Sequence, residues 1–153
     1  MKKREPVSHI MTKNVKAVNV TNTLSDVVTL VKKEKVRHVP VLQGEEVVGI
    51  ISSTDLNRLT FSNLFEHQES ADEAVLQMLK IEQVMSAKPL TVNAEDSIRD
   101  VAEIFANAHF HALPVVENGK LAGIVSTTDI HFWGWQSIIV AAALTLFAGL
   151  HNR

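Results

Sequence analysis

The stretch Val36-Arg-His-Val-Pro-Val41, with Gly49-Ile-Ile-Ser-Ser-Thr-Asp55 just after it, decides the fold because it occurs twice. It returns as Phe110-His-Ala-Leu-Pro-Val115 with Gly123-Ile-Val-Ser-Thr-Thr-Asp129. A shift of 74 residues lays Met11–Leu56 on Met85–Ile130 without a gap, giving 12 identities over 46 pairs. About a third of the other pairs are apolar in both copies. A gapless match of this kind marks an internal duplication.

Each copy has the same local grammar. Short extended segments are expected at Val15–Val20 and Leu90–Ala94. Thr23-Leu-Ser-Asp26 and Ser97-Ile-Arg-Asp100 place a hydroxyl at a helix N-cap and a carboxylate three residues on, the capping-box pattern. Apolar residues follow at helical spacing, namely Leu24, Val27, Val28, Val31 and then Ile98, Val101, Ala102, Phe105. Two β-rich runs come next, turning at Gly44 in the first copy and at Asn118-Gly119 in the second, residues that tolerate positive φ. Each hairpin ends in Ser-x-Thr-Asp, where a second helix begins. The unit is therefore strand, helix, hairpin, helix, and the fold class is α+β. A unit of about 50–60 residues is marginal alone, so the two are expected to pack sheet to sheet with pseudo-two-fold symmetry and two equivalent clefts.

The expected division is a first repeat at 7–66, a connector helix at 67–80, a second repeat at 81–135 and an apolar C-terminal helix at 136–153. Ser70-Ala-Asp-Glu73 reads as the cap of the connector helix, which would cover the repeat interface with Ala71, Ala74, Val75, Met78 and Leu79.

Composition narrows the function. The 153 residues are 46% apolar and 21% charged with formal net charge −2, and no basic stripe suits nucleic acid. The absence of cysteine excludes disulfides, Cys-ligated zinc and thiol catalysis. No signal-peptide pattern follows the basic N-terminus, and the chain reads as cytoplasmic. Neither a P-loop, a G-x-G-x-x-G nor a G-x-S-x-G element occurs, and nothing argues for an enzyme. His109-x-His111, expected on one strand face near His38, lacks a carboxylate at ligand spacing, so no metal is expected.

With both strings in register, the chain resembles the CBS-domain family, named for cystathionine β-synthase, over about residues 7–132. The resemblance implies a regulatory module that binds AMP, ADP, ATP or S-adenosylmethionine between repeats, needs no obligatory cofactor and works as a homodimer on another protein. Carried over by position, one site uses Thr12, Ala17, Val36, Arg37 and His38 with Ile124, Ser126, Thr128 and Asp129. The mirror site uses Ser86, Thr91, Phe110, His111 and Ala112 with Ile50, Ser52, Thr54 and Asp55. The chemistry agrees with it: a strand-to-helix junction favours phosphate, Ser adds a hydroxyl, Asp can grip a ribose diol, Arg37 can pair with phosphate and Phe110 can stack on a base. Lys35 and His109 depart from the small residue common before Val36 and Phe110. The alternative is a dimeric scaffold with non-functional clefts.

Trp133–Leu150 carries no charge over 18 residues. A helix apolar all round is buried or in a membrane. Gln136, Ser137, Thr145 and Gly149 weaken a span, so burial in a dimer is the reading adopted, with membrane association through this helix as the alternative.

Overall fold

The computed structural model describes residues 4–60 and 69–151, and for 69–70 and 144–151 the backbone only. The first repeat runs β1 (Val18–Asn19), α1 (Leu24–Glu34), β2 (His38–Gln43), β3 (Glu46–Ser52) and α2 (Ser53–Leu59). Next come α3 (Glu69–Met78), α4 (Ile81–Val84) and β4 (Ser86–Ala87). The second repeat runs β5 (Val92–Asn93), α5 (Ile98–Ala106), β6 (Ala112–Glu117), β7 (Lys120–Ser126) and α6 (Thr127–His151).

The hairpins form as their turn residues dictate. Asn118 and Gly119 both take positive φ, the I′ pattern, whereas only Gly44 does so in the first hairpin, the II′ pattern. Each hairpin carries a register shift at the same place, Val41/Leu42 and Val115/Val116. The leading strands β1 and β5 pair in parallel with β2 and β6, and at two residues each they are shorter than the extended runs expected from sequence. Thr23 and Asp26 form the full capping box of α1. In α5 only the Ser97 half forms, because the Asp100 carboxylate faces Arg4 at 3.5 Å.

The two repeats exchange their leading segments. A 3-10 turn at Val7–His9 precedes the first repeat but packs on the second, with Val7 fully buried beside Val101, Leu113 and Val125. Thr12 and Ile124 exchange both backbone hydrogen bonds, at 2.9 and 3.0 Å. The symmetry-equivalent segment does the reverse: Ile81 is buried in the first core beside Leu24, Val39 and Ile51, and Ser86 of β4 pairs with Ile50 of β3. Two glycines make the exchange possible. A Cβ on Gly49 would overlap the Met85 side chain, and one on Gly123 would overlap Met11 and lie 2.9 Å from the Thr12 carbonyl oxygen. The two sheets also meet where β3 faces β7.

Two expectations are corrected. Ser70 lies inside α3, which already includes Glu69, so it is not an N-cap. The fully covered residues of α3 are Asp72 and Leu76; Val75 is half-buried and Leu79, just past the helix, packs on the first core, but Ala71 and Ala74 are exposed and Met78 is 80% exposed. The polar Asp72 shares the α3 stripe that packs on α1 and α2, which apolar spacing alone does not reveal. The last helix of the second repeat runs on without a break into the apolar C-terminal segment: α6 is one helix of 25 residues, about 37 Å long. Among the described residues, no helix is long and apolar enough to cross a membrane.

The glycine contacts make a differential prediction. Gly123→Ala meets a backbone oxygen that cannot move aside, whereas Gly49→Ala meets only a flexible Met side chain. Urea denaturation should show Gly123→Ala losing about 1–3 kcal/mol and Gly49→Ala clearly less. Equal losses would contradict the exchange geometry.

Candidate nucleotide-binding cleft

Both Ser-x-x-Asp strings fold identically. Ser52 ends β3 and caps α2; its Oγ donates to Asp55 Oδ2 at 2.7 Å and accepts from the Asp55 N–H at 3.1 Å. The Ser52 N–H donates to the same Oδ2 at 2.9 Å. Ser126 and Asp129 repeat this at 2.8, 3.3 and 2.8 Å. The helix-opening residues Ser53 and Thr127 give their N–H groups to the carbonyls of Arg37 and His111, at 2.8 and 3.0 Å.

This bonding changes the expected division of labour. The cap serines are engaged by their aspartates, so their hydroxyl protons are not aimed at a ligand. Thr54 and Thr128, one residue further, have no hydrogen-bond partner for their side chains among the described residues. As second residues of a helix, their N–H groups also lack an intrahelical acceptor. Each aspartate keeps Oδ1 outside the cap. The polar groups open to a ligand are thus the N–H and hydroxyl of Thr54 and Thr128 and one oxygen of Asp129.

One cleft of about 490 Å³ collects these groups, within the range of small-molecule sites. From the first predicted site it brings together Thr12, Val36, Arg37, His38, Ile124, Ser126, Thr128 and Asp129. From the mirror site it brings Ser52, Thr54, His111 and Ala112. Ser53 and Thr127 also line it; sequence reasoning passed over them, although each directly follows a cap serine. Ala17, Ile50, Asp55, Ser86, Thr91 and Phe110 do not line it. Ile50 and Ser86 are engaged in the β3–β4 pairing, and Phe110 stands edge-on to Phe105, with ring centres 6.2 Å apart. This cleft draws on both repeats, with the opening residues of α2 and α6 in its lining.

His38, in β2, is half-buried. Burial holds its imidazole below the ordinary histidine range, and the adjoining His111 adds to this, while Asp55 opposes it and Arg37 reinforces it. His109 and His111 precede β6 instead of sharing a strand face. No group of three His, Asp or Glu among the described residues is arranged to hold a metal ion. Lys35 takes a left-handed conformation at the end of α1, with φ 53, where glycine would be unstrained.

The CBS domain model matches residues 7–61 and again 81–133. The chain belongs to the CBS-domain family. Among curated relatives, the protein MJ1225 of Methanocaldococcus jannaschii is 29% identical over 128 residues, covering 82% of this chain and 46% of that protein. The CBS domain-containing protein YhcV of Bacillus subtilis is 25% identical over 139 residues and covers 91% and 92% of the two chains. This chain spans less than half the length of the archaeal relatives MJ1225 and MJ0188. The crystal structure of MJ1225, described as a putative archaeal homolog of g-AMPK, superposes with TM-score 0.71 at 26% identity, over 87% of this chain and 49% of that one. The structure of CBSX2 in complex with AMP superposes with TM-score 0.69 at 24% identity, over 86% and 97%, and shows the shared fold.

Two measurements test the local reading. Ser126→Ala should cost about 1 kcal/mol by urea denaturation, as loss of an N-cap does. His38, with its folded pKa lowered, is more readily protonated in the unfolded chain. Its stabilising contribution is present above the ordinary histidine pKa of about 6.5 and is lost as pH falls from there toward its folded value. His38→Gln should therefore flatten the decline in stability on the acid side of that pKa. An unchanged decline would show that His38 titrates normally.

Proposed function

We propose that this CBS pair is a regulatory, non-catalytic module whose cleft binds an adenosine ligand and whose second repeat passes the bound state to another protein. The observation that carries this reading is the convergence of both Ser-x-x-Asp junctions, with Arg37, His38 and His111, on one cleft. Thr54 and Thr128 offer hydroxyls and N–H groups to a phosphate, and Asp129 offers Oδ1 to a ribose hydroxyl. Val36, Ala112 and Ile124 supply apolar surface for the base. Relatives of this fold support the class of ligand: CBSX2 was solved with AMP, and the MJ0100 CBS pair with 5′-methylthioadenosine and S-adenosyl-L-methionine.

The direct test is calorimetric titration with AMP, ADP, ATP and S-adenosylmethionine. Asp129→Ala should weaken binding about tenfold to a hundredfold, as loss of a hydrogen bond to a charged group does. Absence of heat with every ligand, in a folded protein, would sink this reading.

A second role rests on α6. Phe132, Trp135, Ile138, Ile139 and Val140 are 58–67% exposed, and three of them are successive, so no single face of the helix is covered. So large an apolar surface marks an association site, and we assign it to self-association of the chain, the homodimer being the simplest closed form. Sedimentation should show an oligomer that becomes a monomer when the chain is ended after Gln136. A monomeric full-length chain would refute the assignment, and recovery with lipid vesicles would give the helix to a membrane instead.

A further inference from the structure

The cleft carries a charge problem that points to the class of ligand. Its cations are Arg37, at the entry to β2, and the imidazoles of His38 and of His111 before β6. The groups facing His38 are Arg37 beside it, His111 from the second repeat and Asp55 from α2. Asp129 of α6 lines the same space. The two carboxylates already serve as cap acceptors for the N-termini of α2 and α6. With both imidazoles neutral, the lining sets one guanidinium against the Asp129 carboxylate, and Asp55 acts on His38 from outside the lining. A phosphate dianion entering that space would be poorly balanced. Protonation of the histidines supplies the missing charge without moving any element, and the ligand itself favours it, because an anion beside an imidazole stabilises the imidazolium.

We propose that the cleft selects adenosine ligands bearing a phosphate, and that binding draws protons onto the His38–His111 pair, so that affinity rises as pH falls. This rests on the adenosine-ligand reading above and narrows it. S-adenosylmethionine carries a sulfonium, an ammonium and one carboxylate, so it offers the imidazoles a single negative charge and brings two cations toward Arg37. Uncharged adenosine has no group for them to meet. The histidines come one from each repeat, so the proton-linked contact also spans the repeat boundary.

The test is calorimetry of the full chain with AMP, adenosine and S-adenosylmethionine at about pH 8 and about pH 6.8, where AMP remains largely dianionic because its second pKa is about 6. Each titration is run in two buffers of different ionisation enthalpy to count protons taken up. AMP should bind about threefold or more tightly at the lower pH, with net proton uptake. Adenosine should bind weakly and without proton uptake, and S-adenosylmethionine less tightly than AMP. In the double variant His38→Gln, His111→Gln the pH dependence of AMP binding should vanish, whatever affinity remains. AMP binding with no proton uptake, or tighter binding of S-adenosylmethionine than of AMP, would overturn this inference and leave the adenosine-ligand reading intact. Failure of all three ligands to bind would overturn that reading, and this one with it.

Discussion

The reciprocal exchange of leading segments is the constraint on which the rest depends. Val7 completes the core of the second repeat and Ile81 that of the first, so neither unit buries its apolar surface without the other. The Thr12–Ile124 and Ser86–Ile50 pairings bring each segment against the partner repeat's hairpin. That close approach requires glycine at 49 and 123, since any side chain there would displace Met85 or Met11. A unit of this size is marginal alone; exchange turns two marginal units into one interlocked pair.

The cleft is a by-product of this packing. Exchange fixes β3 against β7 and aims the α2 and α6 N-termini at a common space. The caps then decide which polar groups are spent and which are left. The serines and one oxygen of each aspartate are consumed in holding the strand-to-helix turn. The threonines, the remaining Asp129 oxygen and the basic side chains face the opening. A helix 25 residues long starts at this opening and extends well beyond the repeat, so a change at Thr128 or Asp129 acts at the root of the exposed apolar surface on α6.

Much of this was legible in the sequence. The repeat register, the two hairpins, the caps at Thr23 and Ser97 and the core faces of α1 and α5 are local signals, and local signals survive folding. What the sequence hid was non-local. Nothing in the periodicity of residues 5–12 says that Val7 belongs to the second repeat. The face of α3 was misread because a buried Asp72 stands where apolar spacing is blind. Of the residues assigned to the mirror site, Ser52, Thr54, His111 and Ala112 line the cleft, whereas Ile50, Asp55, Ser86, Thr91 and Phe110 do not. Ser53 and Thr127 escaped notice because only the cap and the carboxylate have a spacing signature.

The central claim is that the two repeats make one ligand site between them. The measurement closest to it is the change in backbone amide NMR shifts of the 15N-labelled chain on adding AMP. Perturbations should concentrate at Thr12, Arg37, His38 and Thr54 together with His111, Ile124 and Thr128, residues of both repeats moving in a single transition. Perturbations confined to one repeat, or centred on the separate groove lined by Val28, Leu56 and Leu76, would contradict it.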